Sequence, residues 1–132
     1  MAIPIVAAVM ARHEIQVNMC RFKGEVVAIV EAVEPPLREA VFWPLWRMFL
    51  RAESMSHQLA RLVLDDRATD QAAYDATKNV CDRMLMDSAA DVVMVMELVR
   101  GLPCRAAVGL LLERLERRAR CVALHIVDRM RP

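Results

Sequence analysis

The sequence predicts an all-α fold: an elongated antiparallel helical bundle of three long helices plus an N-terminal helix. Of its 132 residues, 57% are apolar and only three are glycine. The chain can therefore bury a core, but it has few residues that tolerate the positive φ of tight β-hairpins. Apolar side chains recur in alternating steps of four and three, which aligns them along one side of a helix. The length fits a single domain over residues 1–132.

The first helix is predicted over residues 5–33. Its apolar seam runs from Ile15 to Val33 in the four-three rhythm. Pro35 and Pro36 follow, and they end the helix because the residue before a proline avoids the α-helical conformation. We expect this helix to pack on the other three or on a second subunit.

The second helix is predicted over residues 37–65, with a seam that begins at Val41 and reaches Leu62. Pro44 lies inside this span, and a proline there bends a helix or marks its true start. The polar residues at 65–70 then predict a loop.

The third and fourth helices are predicted over residues 69–100 and 103–130. Gly101 and Pro103 separate them, since glycine is favoured just after a helix and proline at the start of the next one. The fourth helix has a regular apolar seam. The seam of the third helix is less regular and comprises Cys81, Leu85, Ala89, Val92, Met96 and Val99.

The mean hydropathy, +0.26, is high for a small protein. No apolar run approaches the roughly 20 residues of a membrane helix, so we predict no transmembrane segment. The excess instead favours a homo-oligomer of bundles with two buried faces on some helices. The four cysteines form no C-x-x-C pair, and the first residues lack the basic region of a signal peptide; both observations favour a reduced, cytoplasmic compartment.

Charge is distributed unevenly, although the net charge is only +1. Residues 100–132 contain eight arginines and three acidic residues. The arginines are not interleaved with aromatic residues, and no helix-turn-helix punctuation is present, so we predict no nucleic-acid binding. The sequence also lacks a Ser/His/Asp order, an H-E-x-x-H motif and a glycine-rich phosphate loop. It therefore favours a protein that is not an enzyme and holds no cofactor.

One stripe of the fourth helix, beside its apolar seam, carries Arg114, Arg118, Cys121 and His125. The stripe is either a partner-binding surface, with Arg114 and Arg118 as contacts, or the edge of the core with arginines extending into solvent. Cys121 and His125 are also ligands that a soft divalent metal ion accepts. Asp82 of the third helix is the candidate further ligand, and its alternative is a place on a solvated acidic face.

Aromatic residues are concentrated near the start of the second helix. Trp43 and Trp46 lie with Phe42 and Phe49 around Pro44. Such a cluster either caps the core or anchors a partner, because tryptophan is enriched at the centres of protein interfaces.

Residues 115–129 resemble the closing helix of the PhoU family of phosphate-uptake regulators, which typically reads E-R-x-x-D-x-A-x-N-I-A-x-R. Four residues of that pattern are kept: Arg118, Ala123, Ile126 and Arg129. Others are replaced, among them those at Arg117, Cys121 and His125. Upstream, residues 79–82 are similar to the D-x-I-D step of the family, and Pro103 falls near the proline before its final helix.

The resemblance implies one PhoU-type three-helix unit over residues 37–130, with residues 1–34 as an extra N-terminal helix. It also implies a non-enzymatic adaptor that binds a phosphate transporter or a sensor kinase and damps phosphate uptake or signalling. Two alternatives stay open. One is an obligate homo-oligomeric scaffold, unrelated to phosphate, in which helix 5–33 swaps between subunits. The other is a metal-binding helical bundle.

Overall fold

The computed structural model describes residues 4–65 and 71–129, and within these ranges it contains four long helices, one short 3₁₀ turn and no strand. The predicted all-α fold is confirmed. Each helix has 25 to 29 residues, which corresponds to roughly 40 Å of length. The elements are α1 (Pro4–Ala32), the 3₁₀ turn (Pro35–Leu37), α2 (Arg38–Asp65), α3 (Gln71–Leu98) and α4 (Arg105–Arg129).

The helices alternate in direction and form a four-helix bundle. α1 packs on α2 and α4, α3 packs on the same two helices, and α2 also contacts α4 across the bundle. Short connections join α1 to α2 and α3 to α4, which makes consecutive helices antiparallel neighbours. α1 is therefore a full member of the bundle within its own chain. No helix in the described residues is long and apolar enough to cross a membrane.

Pro44 lies inside α2, which begins at Arg38. The interpretation that Pro44 marks the true start of the helix is therefore wrong. Pro44 has no N–H to bond the carbonyl of Ala40, but Ala40 is exposed and water can satisfy that oxygen. Between α3 and α4 the chain turns at Gly101, whose φ of 77° is the left-handed conformation that glycine adopts without strain.

The buried side chains form two clusters along the bundle. The large core cluster lies at the end with the two short connections and draws on all four helices. The small core cluster lies toward the other end and draws on α2, α3 and α4. The large core cluster includes Phe22, Ile29, Leu45, Met48, Val95, Val108, Leu112 and Leu115. The small core cluster consists of Met55, Cys81, Met84, Val122, Ala123 and Ile126.

The predicted seams are confirmed in α4 and, with Met19 only half-buried, in α1. The seam predicted for α3 is partly wrong. Ala89 is exposed, whereas Met84, Ser88, Asp91 and Val95 are buried. The error has a physical cause: Asp91 is buried because two arginines of α2 bind it, and a hydrophobic pattern assigns a carboxylate to the solvent side.

Candidate functional site

A cationic groove runs between α1 and α4. Arg114, Arg117, Arg118 and Cys121 of α4 line it together with Glu25 of α1, around a cavity of about 300 Å³. Arg117 and Arg118 are three and four residues after Arg114, and four and three residues before Cys121, so all four lie on one side of the helix, next to the buried seam. The α4 seam anchors the helix in the bundle and presents these side chains at the rim of the α1–α4 contact.

Arg118 forms an ion pair with α1 across this groove. Its Nε donates to Oε1 of Glu25 at 2.8 Å, and its Nη2 forms an ion pair with the same oxygen at 2.7 Å. The side chains of Arg118 and Glu25 are 24% and 20% exposed, so the pair is largely withdrawn from water. The second carboxylate oxygen of Glu25 is buried and accepts no hydrogen bond in the structure. Arg118 therefore joins two helices, and its charge is already matched.

Arg114 and Arg117 line the same groove and are exposed. Neither forms an ion pair or a side-chain hydrogen bond within residues 4–65 and 71–129. The groove thus presents three guanidinium groups against one carboxylate. Guanidinium groups recognise carboxylate and phosphate oxygens through paired N–H donors, so the groove is suited to an acidic group.

The other two residues of the predicted stripe also lie on the α1 side of α4. Cys121 is exposed and lines the groove. Nε2 of His125 lies 2.8 Å from Oε2 of Glu14 in α1, and both side chains are 37% exposed. His125 therefore belongs to the contact between α1 and α4, where it forms an ion pair when it is protonated.

The structure does not gather the predicted metal ligands Asp82, Cys121 and His125 into a site. Within the described part of the chain, no three His, Cys, Asp or Glu side chains are placed to hold a metal ion. Asp82 is exposed on α3. Its neighbour Cys81 is the residue that points into the small core cluster, which leaves Asp82 on the solvent side of the helix.

The two predicted tryptophan anchors have different environments. Trp46 stacks between Phe42 and Phe49, with ring centroids 5.5 and 4.6 Å away, and it packs against the large core cluster. The rings of Trp43 and Phe42 are nearly perpendicular, with centroids 5.2 Å apart, and Trp43 is 54% exposed. Trp46 thus caps the core, while Trp43 remains accessible for a contact.

Sequence reasoning missed a buried charge cluster between α2 and α3. The side chain of Asp91 is only 7% exposed, and its Oδ1 accepts from Arg47 Nη2 at 3.0 Å. Its Oδ2 accepts from both terminal nitrogens of Arg51. A signal was present in the sequence, because Arg47 and Arg51 are four residues apart on α2 and share one face of it. Their partner became evident only from the register of α2 against α3.

No protein-family model matches the chain, and neither the curated proteins nor the solved structures include one that is significantly similar to it.

Proposed function

We propose that this protein is a non-enzymatic adaptor that binds an acidic segment of a protein partner in the α1–α4 groove. The observation that carries the proposal is the pair of exposed arginines, Arg114 and Arg117, which line the groove without an acidic partner among the described residues. Arg118 and Glu25 hold the two walls together. The groove therefore needs no large rearrangement before a partner binds, which lowers the entropic cost of association.

The resemblance of residues 115–129 to the PhoU closing helix supports a particular partner class. That class is a cytoplasmic segment of a phosphate transporter or of a sensor kinase. The groove-lining residues Arg117, Arg118 and Cys121 lie within the resembling segment. On this proposal the protein acts by binding its partner and not by catalysing a reaction.

The first experiment measures co-purification of the full chain with components of phosphate uptake. We expect the wild-type protein to retain a transporter or sensor-kinase component, and binding to weaken as salt rises because exposed charges are screened. Deletion of the gene should change phosphate-responsive expression. Unaltered expression after deletion would contradict the assignment to phosphate.

Two matched double variants test the groove itself. Arg114→Glu with Arg117→Glu reverses two charges that line the groove. Arg105→Glu with Arg120→Glu makes the same charge change at exposed positions of α4 outside it. We expect the first variant to weaken partner binding about tenfold or more and the second to have little effect. Equal losses of partner binding in both variants would show that binding depends on net charge and not on the groove.

A further inference from the structure

A second surface, on α3, is apolar where a helix of a bundle is usually polar. Met86, Val93 and Met94 are 73%, 60% and 48% exposed. At about 100° per residue, they lie within roughly 60° of Ala90 on the helix circumference, opposite the buried side that contains Cys81 and Val95. Among the described residues, the other helices therefore leave most of this outward face open.

The contrast with α4 shows that the α3 surface is a patch. The most exposed apolar residues of α4, Leu110 and Leu124, are separated by fourteen residues, which is about 21 Å along the helix. On α3 the three apolar residues lie within nine positions. Contiguous exposed apolar patches mark interaction sites, whereas scattered residues do not.

We propose that two copies of this chain pair through the outward faces of α3, antiparallel, about a two-fold axis at Ala90. In such a pair, residues equally far from Ala90 along the sequence face each other. Met86 and Met94 are each four residues from Ala90, so each Met86 contacts Met94 of the second copy. Alanine at the axis lets the two helices approach closely.

The two charges nearest the centre line of this face select the same arrangement. Arg83 and Glu97 are each seven residues from Ala90. Antiparallel pairing therefore places Arg83 of each copy opposite Glu97 of the other, twice per dimer. Within its own chain Glu97 meets Arg100 only at 3.7 Å, with both side chains largely exposed. Parallel pairing would instead oppose Arg83 to Arg83, which is unfavourable.

The adjoining face of α2 enlarges the surface. Trp43 and Leu50 are 54% and 46% exposed, and between them Arg47 reaches Sδ of Met94 at 3.6 Å. A stable interface buries about 800 Å² on each partner, and a patch that extends over two helices meets that need better than a single helix. The inference does not depend on the cationic groove, which lies between α1 and α4.

Light scattering on the full chain tests the pairing. We expect a dimer at about 0.1 mM protein, because standard-size interfaces have dissociation constants on the order of micromolar or tighter. Met86→Glu with Val93→Glu should give a monomer that stays helical by circular dichroism. The matched control, Leu110→Glu with Leu124→Glu, should remain dimeric. A monomeric wild type, or a dimer disrupted only by the α4 variant, would overturn the proposal.

A charge swap tests the register without touching the apolar residues. Arg83→Glu alone places two glutamates together at two points, and we expect dimer dissociation to become on the order of tenfold more favourable. Adding Glu97→Arg restores opposite charges and should restore the dimer. Because positions 83 and 97 are fourteen residues apart on one helix, such a rescue requires contact between two copies. Failure of the rescue would refute this register.

Disulfide formation tests the axis. In a background with the exposed cysteines removed, Cys20→Ser and Cys121→Ser, the variant Ala90→Cys should form a disulfide-linked dimer on mild oxidation. Asn79→Cys on the same face should not, because the two copies of position 79 would lie about 33 Å apart. Cross-linking at position 79 and not at position 90 would place the axis elsewhere and contradict the proposal.

Discussion

The large and small core clusters differ in how many helices build them and in the size of their side chains. The large core cluster joins all four helices, and Phe22, Ile29, Leu45 and Leu115 in it are essentially inaccessible to water. The small core cluster joins three helices and includes Ala123 and the thiol of Cys81. Since buried apolar area supplies most of the stability of a fold, the end with the short connections is the more stable one.

Polar contacts between helices are also more deeply buried at the end with the short connections. Asp91 lies beside the large core cluster, and its carboxylate is buried between Arg47 and Arg51. Toward the other end, His125 and Glu14 join α4 to α1, and both are 37% exposed. A buried charge cannot exchange its protein partners for water without a large penalty, whereas a half-exposed pair can. We therefore expect local opening to begin at the end that contains the small core cluster.

The largest expected effect comes from truncating one side chain in each cluster. Phe22→Ala should lower the free energy of unfolding by about 3–5 kcal/mol, because it leaves a cavity among large neighbours. Met84→Ala should cost about 2 kcal/mol, since a flexible side chain near fewer helices is replaced more easily. Urea denaturation followed by circular dichroism measures both. A larger loss for Met84→Ala would reverse the comparison.

A smaller effect is expected from removing the buried carboxylate. Asp91→Ala should cost about 2–3 kcal/mol, because it leaves Arg51 mostly buried without its partner. The matched change toward the other end, His125→Gln, should cost less than about 1 kcal/mol. Denaturation at low and high salt distinguishes them, because only the half-exposed pair is strongly screened. Equal losses of stability for the two variants would be evidence against this difference in burial between the two ends.

A pH-dependent effect is expected in the small core cluster. Burial, reinforced by the charge of Asp82, raises the pKa of the Cys81 thiol from 9.0 to about 11. The unfolded chain therefore loses this proton near pH 9 while the folded chain keeps it. This contribution is fully present below pH 9 and is progressively lost as the pH rises toward 11.

The measurement is the free energy of unfolding of the wild type and of Cys81→Ala between pH 8 and 11. The difference between the two proteins isolates Cys81 from other titrating groups, including Cys104, whose pKa is also raised by burial and by its hydrogen bond to Glu34. A difference that does not change with pH would show that the thiol is accessible to water in the folded protein.

The helices themselves were predictable because their signals are local. Residues 5–33 were expected for the first helix and Pro4–Ala32 is observed, since two prolines end it whatever it packs against. The predicted start of the fourth helix, at 103, precedes the observed start at Arg105. Glycine and proline identify the turn, but the first helical residue depends on the backbone bonds of that turn.

The candidate site was predictable in part. The stripe of Arg114, Arg118, Cys121 and His125 follows from helical periodicity, and the structure places all four on the α1 side of α4. Their partners did not follow from periodicity. Glu25 and Glu14 are about a hundred residues away along the chain, and only the register of α1 against α4 brings them close.

What the amino-acid sequence determined alone is the class of fold, the approximate helix limits and the faces that α1 and α4 bury. These depend on the spacing of apolar residues and on prolines and glycines, which act within a few turns. Only the tertiary structure decided that α1 completes the bundle and that Asp91 is buried. It also decided that Arg118, unlike Arg114 and Arg117, has an acidic partner among the described residues. The energy of a charge depends on which groups distant in sequence approach it and on how much water remains, and a one-dimensional pattern carries neither quantity.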